Sequence, residues 1–119
     1  MTLVVDLFDP ETGPYSYLNA LDNDAAGGES FRSRVWGSDA LVSRGAVFLP
    51  QLKDSDLFVF PDDLPAFADE CRMIAASATE IATDIWSDPD CAESLHRYTA
   101  TFLVAIELAI ERSVGVCIS

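Results

Sequence analysis

Residues 102–118 read FLVAIELAIERSVGVCI, and this stretch decides the architecture. Phe102, Ala105, Ile106 and Ala109 continue a stripe begun by Cys91, Leu95 and Tyr98, the three-and-four spacing of one helical face. Leu103, Val104, Leu108 and Ile110 lie off that stripe. The helix is therefore apolar on almost every side, and such a helix is normally buried on two sides, in the middle of the molecule. Gly115 reads as its C-terminal stop, and Val114 to Ile118 has the composition of a strand.

A partner for that strand is found near the start of the chain. Leu3 to Phe8 is rich in β-branched and apolar residues and runs into Asp9-Pro10-Glu11-Thr12-Gly13-Pro14, a dense group of turn formers. Pairing the two runs gives a small sheet that covers one side of the last helix. For the other side the sequence offers a second long helix. From Leu64 onward, apolar residues at 64, 67, 68, 71, 74, 75, 78, 81, 82, 85 and 86 predict one continuous helix. Asp62 and Asp63 are placed to cap it, and Pro65 is tolerated in its first turn. Ser87-Asp88-Pro89-Asp90 then breaks it and opens the last helix, so the two form an antiparallel pair.

The remaining segments are shorter. Leu57-Phe58-Val59-Phe60, stopped by Pro61, reads as a short strand covered on both faces. Residues 38–50 fit a helix capped by Ser38 and closed by Pro50, with two strands broken at Gly45 as the alternative. Tyr15 to Leu21 carries a weak helical pattern, and Gly27-Gly28 marks a surface loop. The fold class predicted is α+β: a small sheet pairing the N- and C-terminal strands, packed on an antiparallel pair of long helices with one or two shorter ones. At 119 residues this is one domain, 1–119, with a single core.

Composition bounds what the chain can do. Twenty Asp and Glu stand against seven Lys and Arg, a net charge of −13. Such a surface repels phosphates and anionic lipid and favours encounter with a basic partner. The opening residues lack the pattern of a secretory signal, and the apolar run Phe102 to Ile106 is far short of the roughly twenty residues of a membrane span. Cys71, Cys91 and Cys117 are an odd number at wide spacing, fitting buried structural thiols and a reducing cytoplasm.

Signatures of catalysis are missing. The single histidine, His96, sits at the edge of a helical stripe without a nucleophile elbow or a family-specific Cys context. Asp6 at the end of a strand, with Asp9 and Glu11 beyond it, is the acidic cluster most suggestive of a divalent metal. No Asp-x-Asp pair and no basic substrate site accompany it, so a carboxylate-metal hydrolase around Asp6 ranks third among the functions considered. No cofactor, no metal and no enzyme activity are expected.

What remains is binding. Asp22 with Asp24, Asp54 with Asp56, and the stripe of Asp69, Glu80 and Asp84 have no helix-capping duty and are the candidate contact residues. Trp36, with Tyr15 or Tyr17, is the candidate aromatic anchor. A homodimer through Val104 and Leu108 is the rival use for the off-stripe apolar residues of the last helix.

A small acidic domain in which Leu57-Phe58-Val59-Phe60-Pro61-Asp62-Asp63-Leu64 carries a strand into a long helix, and in which the last helix runs into a short strand, resembles bacterial immunity proteins. The resemblance concerns size, charge and layout. It implies a non-catalytic protein that binds a basic toxin domain and blocks its active site. The alternative is an acidic mimic of nucleic acid, or another protein-interaction module.

Overall fold

The centre of the sheet is formed by two runs far apart in the sequence. In the computed structural model, which describes residues 2–13, 17–18, 21, 25–85 and 89–119, β1 (Thr2–Phe8) lies antiparallel to β4 (Gly115–Ile118). Val5 faces Ile118 and Leu7 faces Val116. β2 (Ala25–Gly28) adds to the outer edge of β1, and β3 (Leu57–Val59) to the outer edge of β4. The order is β2-β1-β4-β3, and every pairing is antiparallel. The α+β class, with the two terminal strands paired and packed on helices, is as the sequence predicts.

The helical layer consists of two one-turn helices, α1 (Glu29–Phe31) and α2 (Asp39–Val42), followed by α3 (Leu64–Ala76), α4 (Ala78–Ile85) and α5 (Pro89–Arg112). Leu3, Val5, Leu7, Leu57, Val59, Val116 and Ile118 enter the core from the sheet. They meet Leu95, Phe102, Ala105, Ile106 and Ala109 of α5. Each buried Val, Leu, Ile or Phe among them contributes roughly 1.5–3 kcal/mol by leaving water. Phe67, Cys71 and Ile74 of α3, Ile81 of α4, and Trp36, Leu41, Leu49 and Leu52 from the segments between β2 and β3 share that interior.

Several local expectations give way. The helix read from Leu64 to Trp86 breaks at Ser77, where φ is −108° and ψ 18°. The Ser77 N–H still bonds back to Met73 and Ile74, and its carbonyl accepts from Ile81, so the chain bends without losing the apolar register. Trp86 and the Ser87–Asp88 part of the following turn lie outside the described residues. Gly27 and Gly28 belong to β2 rather than to a loop. Gly27 has φ +105° and lies against the Phe31 side chain, with its Cβ position 2.7 Å from Phe31 Cβ, so a larger residue has no room there. Tyr17 pairs with Phe8, and the Leu18 N–H donates to the Leu7 carbonyl at 3.0 Å, so these two residues are extended, while Tyr15, Ser16, Asn19 and Ala20 of the expected helix lie outside the described residues.

Residues 38–50 hold only the single turn α2. A π-helical turn, Arg32–Trp36, precedes it and a 3-10 turn, Leu49–Lys53, follows. Ser38 occupies the N-cap position, but its hydroxyl donates to the Val35 carbonyl at 2.7 Å instead of capping the helix. Asp62 and Asp63 likewise make no side-chain cap: they lie in a 3-10 turn, Pro61–Asp63, whose Asp63 N–H is taken by the Phe60 carbonyl.

The end of α5 is set by Ser113, not Gly115. Ser113 adopts φ +58°, its N–H bonds to the Ile110 carbonyl, and the Val114 N–H bonds to Ala109 at 3.0 Å. This is the two-bond Schellman closure with serine in the place glycine usually takes. The sheet covers one side of α5, and α3 and α4 cover another. A third side stays wet, with Val104 61% exposed, Ile110 also exposed, and Leu103 and Leu108 half-buried.

Candidate partner-binding face

Strand alternation that turns Val5, Leu7, Leu57, Val59, Val116 and Ile118 toward the helices turns the residues between them to the opposite face. The registers set these in rows. Asp6, Cys117 and Phe58 lie side by side across β1, β4 and β3. The next row begins with Phe8 and Gly115, with Phe60 one residue past Val59.

Gly115 exists at this point because the Phe8 ring lies on it. A Cβ there would meet that ring and come within 2.7 Å of the Val59 carbonyl oxygen. The ring edge-packs against Phe58 at 5.7 Å and Phe60 at 5.2 Å, with interplanar angles of 89° and 85°. Phe8 is fully buried and Phe58 half-buried, while Phe60 remains 44% exposed. Val4 and Tyr17 are also exposed on this face.

Burial pushes the Cys117 thiol up to about 11, against a downward pull from hydrogen bonds with Tyr17 and Ser119. A thiol held protonated in this way is neither nucleophile nor metal ligand at neutral pH. Burial raises the Cys71 thiol too, and all three cysteines are buried and outside any disulfide, as structural thiols should be. Asp6 Oδ1 accepts the Leu7 N–H at 2.7 Å. Among the described residues, no three His, Cys, Asp or Glu side chains are grouped to hold a metal, so Asp6 has no such set around it.

The candidate contact residues fare unequally. Asp22 and Asp24 lie outside the described residues. Trp36 is fully buried: it donates through Nε1 to the Ala26 carbonyl at 2.9 Å and edge-packs on Phe31 at 5.1 Å. It is a core residue, not a surface anchor, because its indole is the piece that locks β2 to the π turn. Asp56 is 3.4 Å from Arg32, whose guanidinium also donates to the Leu52 and Ser55 carbonyls. Asp69 meets Arg72 at 3.2 Å and Asp84 meets Arg44 at 2.7 Å. Asp54 and Glu80 are exposed, and the acidic stripe is divided between α3 and α4 by the bend at Ser77.

One functional feature is absent from the sequence reading and a second is misread there. Glu70, 7% exposed, accepts the backbone N–H groups of Val47, Phe48 (3.0 Å) and Leu49 (2.9 Å), and so holds the loop before the 3-10 turn. Its place between Phe67 and Ile74 on the helix was the available signal. The second is the pair Asp62 and Asp63: capping would have accounted for their charge, yet both are exposed and uncapped beside Phe60.

No family model, curated protein or solved structure matches the chain. Among the described residues no helix is long and apolar enough to cross a membrane.

Proposed function

We propose that this chain is a binding module for a basic protein, acting as an immunity protein that captures a toxin domain and masks its active site. The observation that carries the reading is the disposition of charge. Of the seven basic residues, Arg32, Arg44 and Arg72 are each engaged by carboxylates of the chain itself, and Arg97 lies over the Tyr98 ring at 5.1 Å. The charge left to meet a partner is overwhelmingly negative, which speeds encounter with a cationic surface and repels nucleic acid. Such a partner would use its lysines and arginines on its own substrate, and covering them would silence it.

The test is co-expression with the product of the adjoining gene. Rescue of growth, with a one-to-one complex on gel filtration, is the expected result. A neighbouring toxin that kills with or without this chain would sink the proposal. A second copy of the chain on the wet side of α5 is a subsidiary reading, favoured by the exposure of Val104; Leu108, half-buried, would contribute less. Sedimentation of a single monomeric species at high concentration would exclude it.

A further inference from the structure

The geometry points to the outer face of the sheet, around Phe60, as the surface on which an arginine-bearing segment of the partner docks. The inference rests on the basic-partner reading and adds where and how contact is made. Phe60 stands 44% exposed over Phe8, with Phe58 half-buried beside it, an aromatic platform on the side of the sheet away from the helices. A fully buried Phe8 fixes both rings, so the platform is rigid before any partner arrives, which lowers the entropy lost on binding. Its borders are acidic at both strand ends. β1 runs from Phe8 into Asp9 and Glu11, and Phe60 leads into Asp62 and Asp63. The nearest base in the sequence of these elements is Arg112, three residues before β4.

Aromatic faces bounded by carboxylates suit guanidinium: the plane stacks on the ring while its edge donates to acids. Lysine fits less well, being a compact and strongly hydrated point charge. The acidic stripe on α3 and α4 lacks this combination. Asp69 and Asp84 each already hold an arginine, and Glu80 is exposed on a separate helix.

The probe is deca-arginine amide, titrated into the ¹⁵N-labelled full chain at low salt, with deca-lysine amide beside it. Shifts are expected at Asp6 to Glu11, Phe58 to Asp63 and Gly115 to Cys117, with arginine bound more tightly than lysine. Phe60→Ser leaves the charge unchanged and is expected to weaken deca-arginine binding about fivefold, the worth of a cation–π contact of about 1 kcal/mol. Asp62→Asn with Asp63→Asn should weaken it by a further factor of about three. The triple variant Asp69→Asn, Glu80→Gln, Asp84→Asn removes more charge, yet should change affinity less than about twofold if this face is the site. A triple variant that loses as much affinity as the Phe60 and Asp62/Asp63 variants, or shifts centred on α3 and α4, overturns this face and leaves the basic-partner reading standing. Absence of any binding at low salt overturns both.

Discussion

Glu70 gives the sharpest quantitative test of how the fold is held together. Its carboxylate is the acceptor for three consecutive backbone donors, two on Oε1 (Val47 and Phe48) and one on Oε2 (Leu49), in a nearly buried site. A hydrogen bond to a charged group contributes about 1.5–3 kcal/mol, and a buried donor left without a partner costs about 1–3 kcal/mol. Val47 is exposed, so water can reach its N–H once the carboxylate is gone; Leu49 is buried, so its N–H would stay unsatisfied. Glu70→Ala should therefore cost about 3–5 kcal/mol, a large part of the 5–15 kcal/mol by which domains of this size are stable. Glu70→Gln keeps one acceptor oxygen for Val47 and Phe48 but turns an NH₂ toward Leu49. Its cost should be smaller, about 1–3 kcal/mol. Urea unfolding followed by circular dichroism reads the order wild type, Gln, Ala directly from the midpoints, provided the slope m is unchanged. Amide exchange adds a local readout, since the Gln variant should lose protection at Leu49 before Phe48. A cost below about 1 kcal/mol for Glu70→Ala, or equal costs for Ala and Gln, would refute the account.

Gly115→Ala should destabilise by about 3 kcal/mol, measured by thermal unfolding, because its methyl would press on the Phe8 ring and the Val59 carbonyl, neither of which can move cheaply. Ser113→Gly should stabilise by about 1 kcal/mol, since φ +58° strains serine and not glycine; a neutral or destabilising result would contradict the Schellman assignment. The thiols should resist Ellman's reagent in the native state and react only on unfolding. Stability should also fall as pH rises from about 9 to about 11, where the unfolded chain loses the Cys117 proton and the folded chain keeps it. The Cys117 share of the loss is on the order of 2 kcal/mol, and Cys117→Ala should reduce the slope while leaving the share of Cys71, whose thiol burial also raises.

The sheet was legible because its strands are short apolar runs bounded by turn residues, and α5 because its stripe runs unbroken from Cys91 to Ala109. β2 was hidden by its composition, Ala-Ala-Gly-Gly: it pairs because small residues let Phe31 close on Gly27, a packing reason that β-propensity does not register. The bend at Ser77 was invisible for a different reason. Hydrophobic spacing reports which face is buried and says nothing of the axis, and the bend preserves the face. The contact residues misled most. An acid that caps a helix and an acid that meets an arginine forty positions away look alike in sequence, so Asp84 was read as available and Asp62 as employed.

The two inner strands of the sheet, β1 and β4, come from residues 2–8 and 115–118, and this ordering has a consequence for how the chain is made. β3 pairs with β4, and β1 meets β3 only through it. During synthesis β1 can pair with β2 early, but its other edge and the side chains of Leu3, Val5 and Leu7 wait until residues 115–118 have emerged. The local contacts among α3, α4 and α5 need no such wait, whereas the β1–β4 pairing at the centre of the sheet does. Such an order makes for slow closure, and it gives molecular chaperones a defined apolar strand to hold in the interval.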